Sequence, residues 1–230
     1  MKSPILRTLY ISIFSSVLMI SCTSDDGPDF DTNTNFLDYL VFYDSDLNST
    51  IITAEFKKTD VFGSNITLEK NESITFRGEE LTYDESKVLY SKEYAGLITS
   101  GDIVYTSSEG KVYTSSLVEY QSVDFSQAIS SFSKSNGLVI SWTGEPLVER
   151  EFIEFLIGVP EQNNFAGLVL EEEGTADLVL KSEDMAGLTS GTWPAYLQRG
   201  QLTYPPDLTS VGGRIVTKYR SKTIEIEVTE

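Results

Sequence analysis

The chain has 230 residues, of which 17 are basic and 35 acidic, and its net charge is −18. It contains no histidine and a single cysteine, which excludes Ser-His-Asp hydrolases and leaves zinc, copper, haem and iron–sulfur centres without their usual ligands. A strongly acidic chain without a basic cluster also excludes nucleic acid as a partner, because phosphate binding depends on Lys and Arg. We therefore expect no transition-metal centre and no cofactor.

Residues 1–21 have the pattern of a signal peptide. Lys2 and Arg7 precede an apolar stretch, Ile11–Ile20, that is too short to span a bilayer. Cys22 follows, and a lone cysteine in an exported chain has no disulfide partner. The sequence LMISC resembles the lipobox of bacterial lipoproteins, in which the cysteine is diacylated and becomes the first residue. The resemblance implies a lipid anchor at Cys22 in the outer membrane. A plain signal peptide followed by an incidental thiol is the alternative.

An acidic tether is predicted for residues 22–35. The run TSDDGPDFDTNTN has no apolar periodicity and cannot bury a core, so we expect it to be disordered. Its beginning resembles the acidic export signal of surface-displayed lipoproteins in Bacteroidota, which implies that the mature chain faces the cell surface. A solvated spacer without an export role is the alternative.

From residue 36 onward the chain has the pattern of short β-strands separated by glycine-containing turns. The clearest strand is TIEIEV, in which Ile224, Ile226 and Val228 alternate with two glutamates. No segment shows a helical period longer than two turns. The nearest is Ser-rich SQAISSF, residues 126–132, which we interpret as a linker. The sequence therefore predicts an all-β fold.

Two segments of the chain have similar sequences. The stretch VLYSKEYAGLITSGD begins at Val88 and VLKSEDMAGLTSGT begins at Val179, 91 residues later. A repeat of this length made of short strands predicts two tandem immunoglobulin-like β-sandwich domains, at 36–125 and 126–230. A closed barrel is the competing all-β architecture.

The repeated segment is predicted to form a structural corner in each domain, at residues 88–101 and 179–191. Gly96 and Gly187 would adopt backbone angles that other residues avoid, while Leu97 and Leu188 would enter the core. The glycine spacing of the first copy also matches a phosphate-binding loop, but Asp102 stands where that motif requires Lys. We reject the phosphate-loop interpretation for this reason.

The second half carries a further resemblance. SKSNGLVISWTGEPL followed by EFIEFLIG is similar to the opening strands of immunoglobulin-like modules in bacterial surface lipoproteins. The whole mature chain resembles tandem-sandwich lipoproteins of Bacteroidota, most of which have no assigned function. The resemblance implies a fold and a location, and no catalytic residues.

Aromatic residues are the main candidates for the core and for ligand contact. Trp142 shares a strand face with Leu138 and Ile140, which predicts a core tryptophan. By strand alternation Trp193 shares a face with Ala195 and Leu197, so it is also predicted to be buried. Three polar residues near the second tryptophan are the predicted ligand contacts, because they lie on the opposite strand face or in a stiff proline-containing loop: Tyr196, Tyr204 and Asp207.

Two groups of carboxylates require separate interpretation. Asp44, Asp46 and Asn48 have the spacing of the first part of a calcium loop, but the later Gly and Glu are out of register. Calcium binding and a plain polar loop both remain open. Glu149 and Glu151 would lie on one strand face about 7 Å apart, which suits an inverting glycosidase. Solvated surface residues are the simpler explanation.

These features favour an outer-membrane-anchored, surface-exposed lipoprotein that acts as a non-enzymatic binding or adhesion module. Its partner would be a glycan or a protein, in addition to the membrane that holds the lipid anchor. The alternative is an accessory structural lipoprotein of an envelope complex. A carbohydrate-active enzyme is the third hypothesis.

The lipid anchor can be tested directly. In Cys22→Ala the thiol that would be acylated is absent, so we expect the protein to leave the membrane fraction or to remain unprocessed. Fractionation of cells, together with the mass of the mature N-terminus, measures this. A variant that is processed normally and stays with the membrane would contradict lipidation.

Overall fold

The computed structural model describes residues 34–230, so the predicted signal peptide, Cys22 and nearly all of the predicted tether lie outside the described residues. Strands make up most of this part of the chain, and its helices are three short 3-10 segments. None of its helices is long and apolar enough to cross a membrane. The strands, in chain order, are β1 Asn35–Asp44, β2 Ser49–Lys58, β3 Asn65–Ile66, β4 Ser73–Phe76, β5 Glu79–Glu80, β6 Thr82–Asp84, β7 Leu89–Ala95, β8 Asp102–Thr106, β9 Val112–Ser116, β10 Ser131–Ser133, β11 Leu138–Ser141, β12 Glu151–Val159, β13 Asn164–Leu170, β14 Asp177–Leu180, β15 Gly191–Thr203, β16 Gly213–Arg220 and β17 Ile224–Thr229.

The strands form one large sheet and two small ones. The large sheet has the order β10-β17-β15-β16-β1-β2-β7-β6, with β12 and β13 added beside β15 and β3 beside β2. One small sheet has the order β5-β4-β8-β9, and the other consists of β11 and β14. Each small sheet covers a different part of the large sheet.

Two separate apolar cores result from this covering. In the first, inward residues of β1 and β2 pack against β4, β8 and β9, with members such as Phe56, Phe76 and Tyr105. In the second, inward residues of β12, β15 and β17 pack against β11 and β14, with members such as Ile140 and Phe155. Alternate residues of each strand enter these cores, as expected for sheets that bury one face. The predicted all-β sandwich class is confirmed.

The two halves share the large sheet. β1 pairs in parallel with β16, from Leu37 opposite Gly213 to Asp44 opposite Arg220. Ile215 of β16 lies in the first core, although it belongs to the C-terminal half of the sequence. Residues 34–230 accordingly belong to one compact unit. The boundaries 36–125 and 126–230 stay a prediction, because strand pairing does not separate the halves there.

Asp38 connects the three central strands. Its carboxylate accepts a hydrogen bond from Lys57 of β2 at 2.6 Å and from Nε of Arg214 in β16 at 2.8 Å. Burial alone would raise the pKa of Asp38, but the hydrogen bonds from Arg214 and Lys57 outweigh it and hold that pKa below its ordinary value. The contribution of this cluster to stability is therefore present at neutral pH and is lost as the pH falls and Asp38 becomes protonated.

The prediction of two equivalent corners is wrong. The first copy is not a turn, since β7 runs through it and pairs with β2 and β6 on its two sides. In the second copy the chain leaves β14 and forms the short helix Ser182–Met185, whose Asp184 side chain accepts a hydrogen bond from the amide of Lys181. Similar residues adopt different structures because only the first copy has strands on both sides.

The individual corner residues also differ between the copies. Gly96 has a left-handed φ of +79°, as predicted, whereas Gly187 does not. Leu188 is buried in the second core, as predicted, whereas Leu97 is exposed. The predicted linker, residues 126–132, includes the start of β10, which pairs in parallel with β17.

Trp142 and Ile140 are buried in the second core, as predicted, and Leu138 is half-buried against it. Trp142→Ala would leave a large void there, so we expect a loss of about 3–5 kcal/mol in the free energy of unfolding. Urea denaturation of the soluble chain measures this. Val139→Ala in the same strand is the control, since Val139 is 62% exposed. Equal losses in the two variants would contradict the core assignment.

Candidate binding site on the outer sheet face

The face of the large sheet that points away from both cores carries an unusual concentration of cations for so acidic a chain. Strand alternation in β16 turns Arg214, Val216, Lys218 and Arg220 to this face, while Ile215 and Thr217 point inward and are buried. Because β16 lies between β15 and β1, these cations lie near the middle of the sheet.

A groove of about 370 Å³ runs across this face. Its base is apolar, since Leu202 of β15 lies directly opposite Val216 of β16. Guanidinium groups of Arg150 and Arg214 flank the base. The full lining comprises Arg150, Glu151, Phe152, Glu171, Leu202, Arg214 and Val216.

Two residues that line the groove, Arg150 and Phe152, each take part in a contact between a cation and an aromatic ring. The guanidinium of Arg150 lies 5.2 Å from the ring centre of Tyr204, and Lys218 Nζ lies 5.2 Å from that of Phe152. Such pairs hold a cation and an apolar surface side by side. The hydrogen bond to Asp38 raises the pKa of Arg214 above its ordinary value, which keeps that side chain charged. The groove therefore offers positive charge next to exposed apolar and aromatic surface.

A buried ion pair positions the turn that carries Arg150. Arg199 and Glu151 are both buried, and Nη2 of Arg199 donates to Oε2 of Glu151 at 2.5 Å. Arg199 also donates from Nη1 to the carbonyl of Glu145, while Glu151 accepts from the amide of Val148. Both ends of the 145–151 segment are thus attached to this pair.

The two carboxylates that the sequence suggested as a glycosidase pair do not share a strand face. β12 begins only at Glu151, and the preceding Arg150 has a left-handed φ of +66°. Glu149 consequently points into solvent and pairs with Arg150, whereas Glu151 points inward to Arg199. The predicted pairing of Glu149 with Glu151 is wrong.

The three predicted contact residues lie in different surroundings. Tyr204 is 54% exposed beside Arg150, at the groove. Tyr196 is half-buried beneath Arg220, whose guanidinium carbon lies 4.1 Å from the ring centre. Asp207 accepts a hydrogen bond from the amide of Thr114 in β9, the last strand of a small sheet. Of the three, only Tyr204 contacts a residue that lines the groove, Arg150, and a ligand-binding role for all three stays a prediction.

The suggested calcium loop is the turn between β1 and β2, and its oxygens already accept hydrogen bonds from the protein. Asp44 bonds Arg220 at 3.0 Å, Asp46 bonds the amide and hydroxyl of Thr223, and Asn48 accepts from Tyr43. Across residues 34–230 no three His, Cys, Asp or Glu side chains are grouped to hold a metal ion. In this structure the turn attaches the first half of the chain to the β16–β17 link.

Trp193 is partly buried and packs against the second core, and its Nε1 donates to the carbonyl of Thr189 at 2.8 Å. Arg150, Phe152 and Arg214 were not among the residues predicted from the sequence. The sequence does contain a signal for Arg214, because the three cations of GRIVTKYR lie at even-numbered positions and therefore share one strand face. It contains no signal that this strand lies in the middle of the sheet.

No family model matches this chain, and no curated protein matches it either. Among solved structures, a tri-modular GH5 endo-β-1,4-glucanase from Bacillus licheniformis is 13% identical over 84% of this chain, with a TM-score of 0.27. This chain spans only 37% of that enzyme's length. The chicken CNTN1 FN1–FN3 domains are 12% identical over 89% of this chain and 68% of theirs, with a TM-score of 0.28.

A bacterial ice-binding adhesin associated with host cell surface retention is 13% identical over 84% of this chain and 65% of its own, with a TM-score of 0.22. At such scores these likenesses say nothing about function. The sandwich assignment rests on the strands and cores of the chain itself.

The Arg199–Glu151 pair generates a stability prediction. Arg199→Met leaves a buried carboxylate without its cation, and we expect a loss of about 3–5 kcal/mol in the free energy of unfolding. The double variant Arg199→Met/Glu151→Leu removes both charges and should recover most of that loss. Thermal and urea unfolding measure both. A double variant as unstable as the single one would show that the charge itself is not the cause.

Proposed function

We propose that this protein is a lipid-anchored, non-enzymatic binding module of the outer-membrane surface that holds a carboxylate-bearing glycan in the groove of its outer sheet face. The observation that carries the proposal is the arrangement of Arg150 over the exposed ring of Tyr204, beside the apolar base formed by Leu202 and Val216. Aromatic and apolar surface suits the flat face of a sugar, and a guanidinium suits its carboxylate.

Arg150 is the residue best placed to bind an incoming carboxylate. Its side chain is half exposed, and its Nε lies 3.3 Å from Glu149. Within the described residues its two terminal nitrogens have no hydrogen-bond partner. Arg214 already forms two hydrogen bonds with Asp38, so its role is to contribute positive charge and surface.

The geometry supports binding without turnover. Hydrolysis of a glycosidic bond ordinarily uses two carboxyl groups on opposite sides of the scissile bond. Of the two carboxylates that line the groove, Glu151 is buried against Arg199, and Glu171 is exposed. The described part of the groove therefore presents one available carboxylate.

The anchor and the tether complete the proposal. Diacylation of Cys22 would attach the chain to the membrane, and the acidic residues 22–35 would hold the folded part away from it. The net charge of −18 opposes attachment of the domain itself to anionic headgroups. The groove would then face outward, where a surface glycan is within reach.

The test is an array of oligosaccharides that compares uronate-containing chains with their neutral counterparts, using the soluble mature chain. Binding should be restricted to the acidic sugars and should weaken with salt. Arg150→Ala and Tyr204→Ala should each lower the affinity at least about tenfold, about 1.4 kcal/mol. Phe62→Ala is the matched control, because Phe62 is an exposed ring in a turn far from the groove in sequence.

Three results would contradict the proposal. Unchanged affinity in both groove variants would remove the groove from the interaction. Hydrolysis that disappears with Glu149→Gln or Glu151→Gln would instead make the protein a carbohydrate-active enzyme. An absence of any glycan binding would favour the alternative of an accessory structural lipoprotein in an envelope complex.

A further inference from the structure

The edge of the large sheet at β13 is partly open. β13, Asn164–Leu170, pairs with β12 on one side, and on its other side it has no strand partner within the described residues. Its side chains on the outer face are Phe165, Gly167 and Val169, of which Phe165 is 41% and Val169 51% exposed. β13 itself does not line the groove, although Glu171 just after it does, and a role for this edge does not depend on the function proposed for the groove.

The backbone of the same residues is also directed away from β12. The carbonyl of Asn164 lies against Gly158 of β12, where any side chain would collide with it. Backbone groups of successive strand residues alternate in direction, so those of Phe165, Gly167 and Val169 face away from β12. The carbonyl of Phe165 lies against Gly187, so the uncovered part of the edge is formed by Gly167 and Val169. No turn or side-chain hydrogen bond from the described residues reaches Gly167 or Val169.

Edge strands of soluble proteins usually carry a charge, a proline or a bulge that prevents pairing with another chain. The segment NFAGLVL has no charged residue and no proline, and its register with β12 is continuous from Ile153 opposite Leu170 to Val159 opposite Asn164. A covering loop is the other usual protection, and residues 187–189 provide it only at Asn164 and Phe165. At Gly167 and Val169 the normal protection against strand addition is therefore missing.

Gly167 creates a notch in this edge. It lies opposite Leu156 of β12, and Leu156 in turn lies opposite Tyr196 of β15. Phe165 and Val169 flank the notch on the outer face. A large apolar side chain of an added strand, placed opposite Gly167, would fit between them and reach Leu156.

The charges at the two ends of the edge indicate the kind of strand that it accepts. Glu161 precedes β13, and Glu171, Glu172 and Glu173 follow it, all exposed and without an ion pair among the described residues. A second copy of the chain would bring the same carboxylates and its own charge of −18. A cationic partner from another protein would be attracted.

We propose that β13 is a docking edge for an extended segment of another protein, which adds to the sheet as a further strand. The segment has alternating apolar residues, a large one opposite Gly167, and Lys or Arg at both ends. Its backbone bonds the open edge of β13, its central side chain enters the notch, and its cations approach Glu161 and Glu171–Glu173.

The probe is a fluorescent synthetic peptide with alternating Thr and Val, a central Phe and a Lys pair at each end, titrated with the soluble mature chain. We expect saturable binding that weakens with salt and is lost when the Lys pairs are replaced by Glu or when a Pro is placed at the centre. Peptide binding that is unaffected by the Glu replacements and by the central Pro would overturn the proposal, and so would the absence of any binding.

Variants of the edge identify the site. Val169→Pro removes an outward amide that bonds no other strand, so the fold should be retained while peptide affinity falls at least tenfold. Val169→Thr keeps the amide and is the matched control. Gly167→Val should weaken the peptide with the central Phe more than one with a central Ala. Melting temperatures establish that each variant is folded, and unchanged affinity in folded Val169→Pro would refute the proposal.

Two further measurements separate this proposal from its alternatives. Tyr204→Ala should leave peptide binding unchanged and Val169→Pro should leave glycan binding unchanged, so either function can fail alone. Sedimentation of the chain without peptide should show a monomer. Self-association that Val169→Pro abolishes would make a second copy the occupant and would overturn the assignment to another protein.

Discussion

The parallel pairing of β1 with β16 is the constraint on which the remainder of the structure depends. It joins the first strand of the described chain to one of the last, along eight residue pairs, and makes one sheet the common wall of two cores. Asp38 reinforces it, because one carboxylate bonds both Lys57 of β2 and Arg214 of β16. The two halves therefore cannot move independently of each other without breaking the hydrogen bonds between β1 and β16. A surface built on this sheet is rigid across both halves.

That rigidity determines where the candidate binding surfaces lie. β16 lies between β1 and β15, so its inward residues Ile215 and Thr217 are buried. Its outward residues form the centre of a broad face. Arg214 and Lys218 on that face are neighbours of Phe152 and Leu202, which come from strands far apart in sequence. The buried Arg199–Glu151 pair then attaches the turn that presents Arg150. The groove is thus a product of sheet order and of a single internal ion pair.

The order of the strands also determines which charges on the sheet face are paired. Most cations of the sheet face form ion pairs with carboxylates of other strands, as in Arg220 with Asp44 and Lys218 with Glu154. Arg150 is half exposed, and the glutamates around β13 have no cation beside them. One end of the face therefore offers positive charge beside an aromatic ring, and the other offers an apolar edge between acidic ends. The two regions suit different ligands.

Sequence patterns by themselves determined what depends on local alternation and composition. The all-β class, the burial of Trp142 with Ile140, the exposure of Tyr204 and the rejection of a phosphate loop follow from residues close together in the chain. Long-range pairing decided the rest. SKEYAGL became a strand and SEDMAGL a helical turn because β2 and β6 flank only the first, and Glu149 separated from Glu151 because β12 begins between them. Glu151 lies 48 positions from its partner Arg199 in the sequence. Asp38 of β1 lies 176 positions from its partner Arg214 of β16. No local pattern encodes such a partner, since the free energy that selects it comes from burying two particular strands side by side.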